Sequence, residues 1–249
     1  MAAKKTVLVT GASQGLGAEI AVAFAREGYE VAVSSTALPR LATVISRIEA
    51  SGARAVGVEL EVRSQASIAA AVAAAVAGLG QIDVLINNAA VALKKPALEV
   101  APEEWDTVLD TNLAGAFFVT QQVGRHLVAT RRPGSVVSIA STHGLVSMEL
   151  RTTYGIAKAG VIHMTRTLAY EWAEHGIRVN AIAPGRVNTP SRELTVADAP
   201  MREKLLARVP LGRFAESEEV AAAACYLASP AATYITGHTL VMDGGLTVY

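Results

Sequence analysis

The sequence predicts an α/β fold: a single doubly wound domain on a mostly parallel seven-stranded sheet, with helices on both faces. Three observations carry this. Seven short apolar runs alternate with longer segments of helical periodicity along the 249 residues. Glycines punctuate the ends of most helical segments. No linker, internal repeat or shift in composition divides the chain. Strands that alternate with helices imply right-handed crossovers, which build a parallel sheet covered on both sides.

Strand 1 is the β-branched run at 6–9, leading into Gly11. A helix at 15–27 offers Ile20, Val22, Ala23 and Phe24 for burial, and Gly28 reads as its stop. Strand 2 at 31–33 leads to a helix at 38–51 that ends at Gly52. Strand 3 at 55–60 precedes an Ala-rich helix at 64–77, with Ser64 as its cap and Gly78 as its close. Strand 4 at 82–86 is followed by one long helix at 102–127, where Pro102 and Glu103 suit the first turn. Strand 5 at 135–139, a long helix at 152–175 ended by Gly176, and strand 6 at 177–182 follow. A looser stretch at 184–200 gives way to short helices at 201–208 and 217–227 and a last strand at 240–242.

Composition narrows the function classes. The 22 Lys+Arg balance 22 Asp+Glu, so no long-range field draws the chain to nucleic acid or an anionic membrane. Cys225 is the only cysteine, which excludes an intramolecular disulfide. The Ala-rich tract at 68–76 falls short of the roughly 20 apolar residues that span a bilayer. The apolar run after the charged start is too short for a secretory segment. A cytoplasmic protein is expected. The five histidines show no metal-ligand spacing, and no metal is expected.

In a doubly wound fold, ligands bind beyond the carboxyl ends of the strands. Thr10-Gly11-Ala12-Ser13-Gln14-Gly15-Leu16-Gly17 falls there, between strand 1 and its helix. Glycines let the backbone turn tightly and approach a pyrophosphate, whose charge the helix N-terminus favours. The spacing is Gly-x-x-x-Gly-x-Gly, and no Gly-Lys-Ser/Thr of a P-loop follows. After strand 2 stand Ser34, Ser35 and Thr36, with Arg40 nearby and no acid between Glu30 and Glu49. An acid there would hold the ribose hydroxyl of NAD. Hydroxyls and an arginine suit the 2′-phosphate of NADP, so NADP is favoured and NAD stays open.

Tyr154 and Lys158 stand at i and i+4, on one face of the predicted 152–175 helix. An ammonium beside a phenol favours the phenolate, and such a tyrosine can exchange a proton with a substrate oxygen. Ser141 follows strand 5, Asn87-Asn88-Ala89-Ala90 closes strand 4, and Asn112 sits inside an otherwise apolar helix, where it is suited to bulge the helix or bind water.

With these pieces the sequence resembles the short-chain dehydrogenase/reductase family over nearly its whole length. The glycine turn, Asn87-Asn88-Ala89-Ala90, Asn112, Ser141, Tyr154 with Lys158, Pro184-Gly185-Arg186-Val187-Asn188-Thr189 and Asp243-Gly244-Gly245 carry the resemblance. It implies a Rossmann-type domain and hydride transfer between nicotinamide and a carbonyl or secondary alcohol. Tyr154 would be the general acid/base, Lys158 would hold the nicotinamide ribose and lower the Tyr154 pKa, Ser141 would polarise the substrate oxygen, and Asn112 would hold a relay water. The dinucleotide would meet Gly11, Ser13, Gln14, Gly15, Leu16 and Gly17 at its pyrophosphate. Ser35, Thr36, Glu61 and Val62 would face the adenosine end, with Asn88 and Ala89 beside the ribose. Pro184, Gly185, Val187 and Thr189 would face the nicotinamide end. Glu61 replaces the family's usual Asp, Ala90 its usual Gly, and the basic residues common in NADP users are absent at Gln14 and after Ser35.

Val91, Leu93, His143, Leu145, Met148, Glu149, Arg151 and Arg186 are expected to line the substrate pocket, with a loop at about 187–210 able to close over it. This mixture fits a sugar, a β-keto thioester, a steroid or a small ketone. The rival class is a non-catalytic, dinucleotide-sensing protein on the same fold; loss of Tyr154 or Lys158 would have favoured it, and both are present. Because the motifs run from Thr10 to Thr189, one domain over 1–249 is expected. The resemblance also implies a homotetramer, with the helices around Asn112 and Tyr154 and the apolar C-terminal segment at 240–249 as interfaces.

Overall fold

A computed structural model describes residues 4–189 and 199–248. Its strands are β1 (Thr6–Val9), β2 (Glu30–Ser35), β3 (Ala55–Glu59), β4 (Val84–Asn87), β5 (Gly134–Ile139), β6 (Ile177–Pro184) and β7 (Thr239–Met242). The helices are α1 (Gly15–Arg26), α2 (Ala42–Glu49), α3 (Gln65–Leu79), α4 (Pro102–Leu109), α5 (Gly115–Ala129), α6 (Thr152–Trp172), α7 (Ala199–Leu206) and α8 (Ser217–Ala228).

All seven strands pair in parallel in the order β3-β2-β1-β4-β5-β6-β7. Alternation of side chains along each strand builds two cores. Val7, Val9, Val31, Val33 and Ile86 pack with Ile20 and Phe24 of α1, Val44 and Ile48 of α2, and Val220 and Leu227 of α8. Leu8, Ala32, Leu85, Val136 and Val179 face the other way, onto Ile68 and Val72 of α3, Val119 and Val123 of α5, and Val161 and Leu168 of α6. Both faces are thus dry, which is why these strands read as near-continuous apolar runs. The protein is a single Rossmann-type domain, as predicted.

Several boundaries differ from the sequence reading, each for a packing reason. Gly78 does not end the Ala-rich helix; α3 runs to Leu79, and Gly80 ends it in the left-handed region at φ 85. Alanine at 78 would gain about 1 kcal/mol of helix propensity. Its Cβ would however lie 2.8 Å from Val56 Cγ1, and overpacking costs about 1–3 kcal/mol. Close approach of α3 to β3 therefore explains the glycine. Ser64 caps this helix as expected, accepting the Ser67 N–H. The predicted helix at 38–51 opens with a 3-10 turn, Leu38–Leu41, around Pro39. The predicted helix at 102–127 is interrupted by a π turn, Asp110–Ala114, so the bulge foreseen at Asn112 is present.

Among the described residues, no helix is long and apolar enough to cross a membrane.

Candidate active site

The strand order reverses at β1 and β4, and beyond their carboxyl ends lies a cleft of about 470 Å³. Its floor is the glycine turn. Gly11 and Gly15 adopt positive φ, at 62 and 59, where a side chain would strain the backbone. A Cβ on Gly17 would collide with Asn88 Nδ2 and the Gly11 carbonyl oxygen.

Thr10 and Asn88 lock this turn to β4. The Asn88 and Ala89 N–H groups donate to Thr10 Oγ1 at 3.0 and 3.1 Å. Asn88 Nδ2 donates to the carbonyls of Thr10 and Gly11 at 3.1 and 2.9 Å. Gln14, at the N-cap of α1, makes no side-chain bond to the helix, and its first turn carries no acid. The N–H groups there are left for an anion, and the glycine cradle leaves room for a pyrophosphate. The residues therefore fit a dinucleotide.

Ser13, Gln14, Leu16, Ser35, Thr36, Glu61, Val62, Asn88, Ala89 and Thr189 line this cleft with Gly11, Gly15 and Gly17. Arg40 joins them beside Ser35 and Thr36. Arg63, Thr107 and Thr111 also line it and were missed by sequence reasoning. Arg63 follows β3 directly, so the rule that ligands lie beyond strand ends could have found it. It pairs with Glu61, which accepts from the Arg63 backbone N–H at 3.0 Å and from its Nε at 3.4 Å.

Other expected residues sit elsewhere. Asn87 is turned into the core, donating to Thr120 Oγ1 and Ser138 Oγ at 2.7 and 3.2 Å, so one of the two strand-end amides is structural. Pro184 is the last residue of β6, and Gly185 and Val187 follow beyond the strand end. Gly185 lets β6 press against Asp243, whose Cα would stand 2.9 Å from a Cβ at that position. Val187 is buried and bridges to Ala215. In the expected substrate loop, Asn188 is tied to Glu216 and Ser217 at the start of α8, residues 199–206 form α7, and residues 190–198 lie outside the described residues.

The side chains expected to be catalytic lie beyond β5 and on α6. Ser141 caps the 3-10 turn Thr142–Gly144, while Tyr154 and Lys158 stand on one face in the first turns of α6. Lys158 is 3% exposed. Its Nζ donates to the Ile139 carbonyl at 2.6 Å and lies 5.7 Å from the centre of the Tyr154 ring. Burial pushes its ammonium down to about 8.

Asn112 sits buried on the π turn. Its Oδ1 accepts the Val91 N–H and its Nδ2 donates to the Val91 carbonyl, both at 2.8 Å. These two bonds clamp the loop after β4.

The chain is similar to known proteins. A family model described as enoyl-(acyl carrier protein) reductase matches residues 11–247. The 3beta-hydroxysteroid dehydrogenase 1 of Eggerthella lenta is 39% identical over 98% of this chain and 94% of its own length. The 3-oxoacyl-(acyl-carrier-protein) reductase of Thermotoga maritima is 38% identical over 98% of both. A solved structure with bound NADP, provisionally named a 2-deoxy-D-gluconate 3-dehydrogenase from Agrobacterium tumefaciens, has a TM-score of 0.90 at 36% identity and covers 98% of this chain and 97% of its own. The chain belongs to the short-chain dehydrogenase/reductase family. It is an NAD(P)-dependent oxidoreductase acting on a carbonyl or alcohol.

Proposed function

We propose that the chain interconverts a carbonyl and a secondary alcohol with NADP(H), using Tyr154 as general acid/base. One observation supports this reading: Ser141 and Tyr154 both meet His143, and the buried Lys158 stands 5.7 Å from the Tyr154 ring, beyond the end of β5. When bound, the dinucleotide supplies or accepts the hydride. In reduction, the Ser141 hydroxyl donates to the carbonyl oxygen, and Tyr154 gives its proton to the oxygen as it becomes an alkoxide. The Lys158 cation stabilises the resulting phenolate. Oxidation runs these proton movements in reverse.

Of the dinucleotide-binding roles, Gly11, Gly15, Gly17 and the α1 N-terminus hold the pyrophosphate, and Ser35, Thr36 and Arg40 hold the 2′-phosphate. The absence of an acid between Glu30 and Glu49 supports NADP over NAD. The residues expected around the substrate, Val91, Leu93, Met148, Arg151 and Arg186, mix apolar and charged groups, which leaves the substrate class open. A panel of a keto sugar acid, a β-keto thioester, a 3-oxosteroid and a small ketone, each with NADPH and NADH, tests the reading. Turnover of none of them, or of their alcohols, would overturn it.

Self-association belongs to the same proposal. A second, larger groove of about 950 Å³ runs between α5 and α6, far from the glycine turn. Leu113, Phe117, Val128, Met164 and Trp172 line it, giving an apolar face of the kind that pairs with a second copy. A homotetramer in the cytoplasm is the state we assign, and the lack of a second cysteine is in keeping with that compartment.

A further inference from the structure

We propose that His143 is a positioning residue: its ring holds the Ser141 hydroxyl and the Tyr154 phenol in one geometry. This rests on the catalytic reading of Ser141 and Tyr154. His143 lies between them and makes a defined contact with each. Its backbone N–H donates to Ser141 Oγ at 3.2 Å, and its Nδ1 stands 3.4 Å from the same oxygen. On the other side, the ring meets the Tyr154 ring edge-on, with centroids 5.7 Å apart and planes at 76°.

The ring's tautomer follows from its far nitrogen. Nε2 lies 2.9 Å from Met148 Sδ. A thioether can accept a hydrogen bond but has no proton to give. Nε2 therefore carries the hydrogen of the neutral ring, and Nδ1 presents a lone pair to Ser141. The Ser141 proton points at Nδ1 until a substrate oxygen takes it. At 3.4 Å that bond is long, so a carbonyl displaces it easily. Oγ itself stays in place, held by the His143 N–H. No bond is made or broken at the ring; the proton stays on Ser141 and changes direction.

The backbone fixes the arrangement. A Cβ on Gly155 would lie 2.8 Å from the His143 carbonyl oxygen, and one on Gly144 would lie 2.7 Å from the Ala159 nitrogen. The backbone of the turn that carries His143 is thus pressed close against α6.

Two measurements on the whole chain test this. Long-range proton–nitrogen NMR of histidine-labelled protein, with His143 assigned by its loss in H143N, should show the Nε2–H tautomer; an Nδ1–H tautomer overturns the proposal. Steady-state kinetics use the carbonyl of the panel that wild type reduces fastest. His143→Phe keeps the ring alone, His143→Gln places an amide near the Nε2 position, and His143→Asn places one near the Nδ1 position. In the Phe and Gln variants kcat should fall about tenfold, because the Ser141 hydroxyl is no longer pre-oriented for each turnover. The Asn variant should recover most of it, with NADPH dissociation constants unchanged in all three. Wild-type kcat in the Phe or Gln variant, an Asn variant as slow as Phe, or a loss traced to weaker NADPH binding overturns it. Tyr154→Phe, run in parallel, separates the two readings. If that variant stays active, the catalytic reading fails; if it is dead while His143→Phe is fully active, only the His143 role fails.

Discussion

Lys158 and Ile139 are joined by a 2.6 Å hydrogen bond from the buried ammonium to the last carbonyl of β5. This bond ties α6, and with it Tyr154, to the strand end that leads into Ser141. The single carbonyl offsets only part of the cost of burying the charge, and the ammonium comes down to about 8.

A pH dependence follows from that shift. Below about 8, Lys158 is charged in both folded and unfolded chains, and the full cost of burying it is present. Between about 8 and the ordinary value of 10.5 the folded chain loses the proton while the unfolded chain keeps it, so this group makes stability rise with pH. Nucleotide binding has the opposite sign, because it uses the cation. NADPH affinity should weaken about tenfold between pH 7 and 9. Lys158→Met should flatten that dependence. Fluorescence titrations across the pH range check both, and an unchanged dissociation constant in wild type would remove Lys158 from the nucleotide site.

Tyr154→Phe removes the one proton the reaction needs while keeping the ring against His143. Turnover should drop by a factor of about 100 or more. NADPH binding should stay within about twofold, since the cleft floor is untouched. Stopped-flow hydride transfer and a binding titration separate these effects.

Arg40 lines the cleft beside Thr36 and Ser35. Arg40→Ala should weaken NADPH about tenfold through loss of a charge-assisted bond to the 2′-phosphate, and leave NADH unchanged. Wild type should bind NADPH more tightly than NADH. Paired dissociation constants decide it, and a wild-type preference for NADH would reverse the assignment.

Gly17→Ala places a methyl group against Asn88 Nδ2 and the Gly11 carbonyl. Both are held by short hydrogen bonds, so neither can yield cheaply. Stability should fall by about 1–3 kcal/mol, and nucleotide binding should be lost with it. Urea unfolding and an NADPH titration on the same sample test the pair of effects.

Val128 is 42% exposed on the apolar groove between α5 and α6. Val128→Asp should lower the sedimenting mass from a tetramer to a smaller species, because a charge buried between copies has no partner. A monomeric wild type would remove this interface.

Much of this protein was legible in one dimension. The seven apolar runs and the Gly-x-x-x-Gly-x-Gly turn depend on local periodicity and on residue types with few uses, so the sequence alone determined the sheet and its two covered faces, and it named Tyr154 and Lys158 as candidates. Tertiary structure decided what depends on distance between segments far apart in the chain. Gly78 reads as a helix stop and is instead the point where α3 meets Val56. Asn87 and Asn88 are neighbours of one type, yet one is buried against Thr120 and the other faces the glycine turn, because successive residues of a strand point to opposite faces. Asn112 reads as a bulge, but its clamp on Val91 needs the loop after β4 to fold back on the π turn. His143 reads as a residue of the substrate pocket; only the structure sets it in contact with both Ser141 and Tyr154.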